Sequence, residues 1–193
     1  MNYLVIDTET TGLSPRIHEM IEFAAIYIED GEKRHDFCFH IHPEYIERAN
    51  PIALEINGYD IKNPRPAIPQ RSGAKRINKI LQGCKEGTII VGHNVNFDLR
   101  FIAILLSRFG LRGLYPKLVL DTVPLSKSLY PELKSVKLSN VCKHLNLKQR
   151  NAHTALSDCE DVMNIINGVN INPSDLENLD LWKLIDQYGD LSD

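Results

Sequence analysis

Asp7 and Glu9 follow the short apolar run Tyr3-Leu-Val-Ile6. If that run is a strand, its period of two projects both carboxylates from one face. Two carboxylates side by side repel, and a cation between them relieves the repulsion. Oxygen donors of this kind suit Mg²⁺ or Mn²⁺. An acid pair at a strand end serves equally well as an ordinary loop cap, so the pair alone does not decide. Three other places carry acids of the same kind. Gly92-His93-Asn94-Val95-Asn96-Phe97-Asp98 leaves the end of the apolar run 88–91 and enters a helical pattern, with Asp98 on its first turn. A carboxylate there also stabilises a helix dipole. Leu120-Asp121-Thr122 repeats the strand-end acid, and His153 stands five residues before Asp158. On a continuous helix that spacing separates the two by about 140°. They converge only if His153 lies in the loop or first turn before the helix; otherwise it is a surface or capping histidine.

The elements that must position these residues are readable from periodicity and punctuation. Residues 3–6, 21–28 and 35–41 read as strands, the first ending at Asp7, and Asp30-Gly31 is a hairpin signal, so the first three strands form an antiparallel meander. Pro51 opens a short helical pattern that stops at Asn57-Gly58. Residues 63–73, with Pro64, Pro66, Pro69 and Gly73, read as a loop, followed by a helix over 74–82. Strand 88–91 leads to a helix capped by Asn96, with Phe97, Phe101, Ile104 and Leu105 at helical spacing. A short strand over 118–120 precedes helical segments at about 122–129 and 138–145, and a last helix spans 152–168. Three strands followed by strand–helix alternation indicate a mixed α/β sheet.

The whole chain of 193 residues, with 43% hydrophobic and 24% charged residues, is globular in composition. No apolar run approaches the roughly 20 residues that span a bilayer, and Met1-Asn2-Tyr3 lacks a basic leader, so a cytoplasmic protein is expected. Cys38, Cys84, Cys142 and Cys159 form no C-x-x-C pair and read as reduced, buried cysteines rather than a zinc site. The net charge of −3 hides an asymmetry. Residues 169–193 carry Asp175, Glu177, Asp180, Asp186, Asp190 and Asp193 against Lys183, and Leu176, Leu179, Leu181, Leu184 and Ile185 suggest a short docked helix in this acidic tail. Residues 61–85 hold seven basic side chains and no acid. Such a stretch is either a polyanion-binding face or a solvated one.

Taken together, Asp7-Thr8-Glu9-Thr10-Thr11-Gly12-Leu13, His93-Asn94-x-x-Phe97-Asp98 and His153-x-Ala155-x-x-Asp158 resemble the three motifs of the DnaQ-like (DEDD-type, histidine subtype) 3′–5′ exonucleases. Leu120-Asp121-Thr122 fits an extra strand-end motif of that family, and Asn57-Gly58 its turn after a short helix. The resemblance covers about residues 2–167, with 1–168 as the exonuclease domain and 169–193 as the tail. It implies a ribonuclease-H-like α/β fold, a mixed five-stranded sheet flanked by helices. It also implies two divalent cations, Mg²⁺ or Mn²⁺, held by Asp7, Glu9, Asp98 and Asp158, with Asp7 shared and His153 as general base for the attacking water. Two such ions stabilise both the attacking and leaving oxygens of phosphoryl displacement, and a neutral histidine takes the water's proton near neutral pH. Thr10, Thr11, Gly12 and Leu13 would hold the 3′-terminal nucleotide, with Leu13 as a wedge against its base. His93 and Asn94 would order the turn that presents Asp98, and Phe97 either supports the pocket or packs in the core. Asp121 would support the fold rather than bind metal.

The expected reaction is metal-dependent 3′–5′ hydrolysis releasing nucleoside 5′-monophosphates, with single-stranded DNA favoured. The protein would be a stand-alone repair enzyme or a proofreading subunit partnered by a DNA polymerase. An exoribonuclease and a non-catalytic 3′-end-binding or polymerase-stabilising subunit are the alternatives. Arg65, Arg71, Lys75 and Arg76 are expected to contact the backbone of the strand from a loop reaching beyond the sheet.

Overall fold

The computed structural model describes residues 1–112, 115–147, 154–181, 183 and 184. A central sheet has the order β3-β2-β1-β4-β5-β6. Its strands are β1 (Tyr3–Thr10), β2 (Met20–Glu29), β3 (Glu32–His40), β4 (Ile89–Gly92), β5 (Leu118–Asp121) and β6 (Glu177–Asn178). The first three form the expected meander, joined by the Asp30-Gly31 turn, with both turn residues at positive φ. β4 joins β1, and β5 joins β4, in parallel. The sheet therefore has five principal strands and a sixth, two-residue edge strand that the acidic tail lays antiparallel to β5. The tail also buries Leu181, while its last nine residues lie outside the described part, as do residues 152–153 of the expected last helix.

Side-chain alternation sends the two faces of β1 into different layers. Leu4 and Ile6 pack with Phe23 and Ala25 of β2 against α2 (Gln70–Gln82) and α3 (Val95–Arg108). Val5 packs with Ala24, Ile26 and Ile28 against α6 (Ala155–Asn167). The remaining helices are α1 (Pro51–Ile56), α4 (Thr122–Leu129) and α5 (Leu138–His144), and α5 packs on α6 through Val141, Cys142 and Ile165.

Three boundaries differ from the sequence reading in ways that matter for the site. β1 continues past Asp7 to Thr10, because β2 keeps pairing with it, Asp7 to Ala24 and Glu9 to Glu22, before a bulge at Glu9/Thr10. Its pairing with β4 stops at Val5–Val91, so the last residues of β1 overhang β4 while staying paired to β2. α3 starts two residues earlier than a helix capped by Asn96, with Asn94 at its N-cap in the left-handed region, φ 67. α2 starts at Gln70, so Gly73 is helical. A Cβ there would stand 2.8 Å from Ile41 Cδ1, and the glycine lets the helix approach the sheet.

Candidate active site

Asp7 and Glu9 project from the overhang of β1 towards α6, whose first turn carries Asp158. One carboxylate oxygen from each of the three can be chosen so that all lie within 4.8 Å of one another. α6 owes its start to a reciprocal cap: Thr154 Oγ1 accepts from the Ser157 backbone N–H, and Ser157 Oγ faces the Thr154 N–H. That cap sets Asp158 one turn in, opposite the strand. Burial, reinforced by the carboxylates of Asp98, Asp158, Glu9 and Glu22, pushes the Asp7 carboxyl well above the ordinary range. The same causes push Glu9 up to about 8, with Arg65 pulling the other way. Charges gathered this closely in a low-dielectric setting fit a hard cation with oxygen ligands.

Asp98 stands beside this trio, buried on the first turn of α3. Thr8 Oγ1 donates to its Oδ1 at 2.7 Å, and burial still pushes its carboxyl up to about 7. Thr8 points to the opposite side of β1 from Asp7 and Glu9, so the strand holds the fourth acid through its other face. The turn before α3 is braced by Asp121, which accepts from the backbone N–H of Asn94 at 2.9 Å and of Val123 at 2.8 Å. Asp121 thus caps α4 and fixes the turn, a supporting role as expected. The His93 ring lies 2.9 Å from Thr122 Oγ1, and burial holds its pKa below the usual value. Phe97 packs on Phe101, ring centroids 5.0 Å apart, and belongs to the core layer.

The rim is built by residues 10–19. Thr10 Oγ1 donates to the Gly12 carbonyl, and Thr11 accepts from the Glu19 N–H through its side chain. A Cβ on Gly12 would fall 2.4 Å from the His18 ring, so only glycine fits beneath that ring. Leu13 is 80% exposed at the tip. α1 is tied to the rim: the Asn50 N–H donates to the Thr11 carbonyl, and Asn57 Nδ2 donates to the Thr10 carbonyl. Its Ile52 and Ile56, one turn apart, are also exposed. With Leu13, the expected wedge, they give the rim apolar surface, and Ile52 and Ile56 are the part of it that the sequence reading does not include.

Glu22 is the larger omission. It lies opposite Glu9 on β2, almost fully buried, where like charges facing across strands are unfavourable. Cys38 donates its thiol to it at 3.5 Å, His40 Nδ1 is 3.4 Å away, and Arg65 approaches at 3.9 Å. The signal in the sequence is a glutamate on the buried face of an otherwise apolar strand.

The structure gathers Asp7, Glu9, Asp98, Asp158, Asn94 and Thr10–Leu13 at one end of the sheet. It does not bring Arg71, Lys75 and Arg76 there. They are on α2, across the sheet from α6, and not on a reaching loop. The guanidinium of Arg71 lies 5.0 Å from the Phe109 ring centroid and that of Arg76 5.6 Å from that of Phe39. Arg65 alone of the basic set borders the carboxylates. His153 lies outside the described residues. Among the described residues no helix is long and apolar enough to cross a membrane.

Residues 4–166 match the RNase_T exonuclease family. The chain is 33% identical over 167 residues to a PolC-type DNA polymerase III from Clostridium perfringens, covering 85% of this chain and 11% of that protein. It is 32% identical to the 3′-5′ exonuclease DinG of Bacillus subtilis, covering 82% of this chain and 16% of that one. The chain thus spans only a small fraction of these curated relatives. Among solved structures, Escherichia coli exonuclease I in complex with a dT13 oligonucleotide shares the fold, with a TM-score of 0.77 at 22% identity over 87% of this chain and 40% of that one. The carboxylates of β1, α3 and α6, the ribonuclease-H-like sheet that carries them and the match over nearly the whole described chain all lead to the same assignment: this chain belongs to the RNase_T, or DnaQ-like, exonuclease family.

Proposed function

We propose that the chain hydrolyses single-stranded DNA from a free 3′ end and releases nucleoside 5′-monophosphates. The observation that carries this reading is the convergence of Asp7, Glu9 and Asp158 on one small volume, with Asp98 beside it. Three carboxylates with oxygens this close, two of them held by burial and mutual repulsion far from their ordinary ionisation, form a donor set for divalent cations, Mg²⁺ or Mn²⁺. Asp7 would serve two ions, Glu9 and Asp158 completing one site and Asp98 the other. Bound cations supply Lewis-acid stabilisation of the attacking and leaving oxygens.

The chain's own residues do the rest. Leu13, Ile52 and Ile56 offer apolar surface to the terminal base, and the bonded Thr10–Gly12 loop presents backbone groups to its sugar. His153 accepts a proton from the attacking water; this assignment rests on its place in the third motif. DNA is favoured by the PolC-type and DinG relatives and by the dT13 complex of the similar fold. The reaction is carried by residues 1–168, with the tail adding the edge strand. Association with a DNA polymerase is suggested by the PolC-type relatives and is tested by co-sedimentation with one. The decisive experiment incubates the pure protein with 5′-labelled single-stranded DNA, duplex DNA and RNA, and with closed single-stranded DNA circles, with Mn²⁺ or with EDTA. Stepwise shortening of DNA from the 3′ end with Mn²⁺ alone supports the reading. Cleavage of closed circles, or preferential digestion of RNA, overturns it.

A further inference from the structure

We propose that the groove between β3 and α2 holds the upstream part of the same single strand whose 3′ end lies at the carboxylates. The inference rests on the exonuclease reading above. The groove is a cavity of about 660 Å³ walled by Tyr27, Phe37 and Phe39 of the strands and by Arg76, Lys79 and Ile80 of α2. It lies on the other face of the sheet from Asp7 and Glu9. In β3, Cys38 and His40 turn to Glu22 on the carboxylate face, while Phe37 and Phe39 turn to α2.

Its acids are already engaged: Glu29 with Lys85, and Asp36 with Lys33. Arg76, over the Phe39 ring, and Lys79 are exposed and have no acidic partner among the described residues. The Tyr27 hydroxyl is buried at the groove wall with no hydrogen-bond partner there. Aromatic side chains beside uncompensated cations suit single-stranded nucleic acid, whose bases stack on rings while its phosphates meet cations.

The edge of the sheet at β3 lies between the two faces. β3 is an edge strand, and the chain leading into α2 pairs with its end only at Ile41–Ile68. Arg65, half-exposed, stands beside Glu22 on the carboxylate face, and Arg76 and Lys79 line the groove on the other face. A protein segment extending the sheet would instead have to pair along Lys33 and Arg34, residues of the kind that keep strand edges unpaired.

The test compares kcat/KM for a thymidine dinucleotide, which reaches only the carboxylates, with that for a long poly-thymidine strand. In the wild type the long strand is preferred. The double variant Arg76→Glu, Lys79→Glu should lower the long-to-short ratio at least about fivefold. That is the value of neutralising one phosphate at 0.1 M salt, from a single-strand slope of about 0.7 in log affinity per phosphate. The salt slope for the long strand should flatten by about 0.7 for each phosphate no longer neutralised. Arg76→Lys should keep the ratio. A 5-iodouracil placed upstream of the 3′ end should crosslink to Phe37 or Phe39. An unchanged ratio and slope in the folded double variant, with no crosslink to β3, overturns the inference and leaves the groove to a protein partner. Absence of hydrolysis of both the dinucleotide and the long strand by the wild type would defeat the exonuclease reading instead.

Discussion

The carboxylate end of β1 and the β3–α2 groove are two regions on opposite faces of one sheet, and they are built in opposite ways. At the first, Asp7, Glu9, Asp158 and Asp98 are packed together with little compensation; Glu22 adds a fifth carboxyl group, which Arg65 approaches at 3.9 Å. The arrangement costs stability without cations, and that cost makes it selective for them. At the second, Tyr27, Phe37 and Phe39 form an apolar wall and the free charges are positive. One region concentrates repulsion where bonds are to be broken. The other spreads weak, sequence-independent attraction where a strand is to be held. Charge sign alone, read along the chain, merges the basic segment with the reactive end.

Removing the shared ligand tests the first region most severely. Asp7→Ala should reduce hydrolysis to background, because it removes the carboxylate proposed to serve both ions, while long-strand binding measured by anisotropy persists through the groove. Near wild-type turnover in this variant would break the division of labour between the two regions. His153→Ala should follow with a loss of about 10²–10⁴-fold in kcat, the usual worth of general-base assistance. Binding of Mn²⁺ should be retained, and the acid limb of the pH–rate profile should disappear. A retained acid limb at saturating metal would reject the role.

The same contrast predicts a pH-dependent stability located at the carboxylate end alone. Burial raises Glu9 to about 8 and Asp98 to about 7, and raises Asp7 well above its ordinary value. A carboxyl whose pKa is higher in the folded than in the unfolded chain contributes stability below its unfolded pKa, and that contribution is lost as pH rises through the folded value. In EDTA the melting temperature should therefore fall between about pH 4.5, the unfolded range, and about pH 8. Mn²⁺ should reverse the fall at the alkaline end by replacing protons with cations. Asp7→Asn should flatten the slope in EDTA. The double variant Arg76→Glu, Lys79→Glu should leave it as in the wild type, since the groove holds none of these acids. A flat profile for the wild-type protein in EDTA would show that the acids are not held in the repulsive arrangement described.

How much of this is legible in the sequence depends on whether local chemistry or packing decides the outcome. The periods of β1, β2 and α3, the Asp30-Gly31 turn and the Pro51 helix start are local signals, and they place Asp121 at a strand end and Asp98 on a first turn. Asp7 and Glu9 fall inside β1, which pairing with β2 extends to Thr10. The start of α2 is not legible because its N-cap is Pro69, which offers no side-chain cap, and because Gly73 reads as a loop residue. Its real cause is non-local: the Ile41 side chain occupies the space of a Cβ. That shift moves Arg71 from the expected loop into the helix that also carries Lys75 and Arg76, on the far face. Glu22 escapes a sequence reading because its meaning depends on cross-strand register with Glu9, which the antiparallel pairing sets. The two-residue β6 is invisible for a related reason, since Glu177-Asn178 has no strand pattern and is extended only because β5 has a free edge.

The smallest expected effect is at the rim, and it separates the regions by a different criterion. Leu13 is 80% exposed and contributes almost nothing to the core, so Leu13→Ala should leave the melting temperature unchanged. If its side chain covers the terminal base, truncation removes part of an apolar contact, about 1 kcal/mol. That corresponds to roughly a fivefold rise in KM, with kcat little changed. Every substrate has one 3′-terminal nucleotide, whatever its length, so the rise should be the same for a dinucleotide and for a long strand. Groove substitutions should instead act on long strands only. A Leu13→Ala effect confined to long strands would place Leu13 on the upstream path. An effect on kcat without KM would mean that the wedge aligns the scissile bond rather than gripping the end. Equal shifts in KM for both substrates would establish the rim as the terminal-nucleotide grip and the groove as a separate hold on the strand behind it.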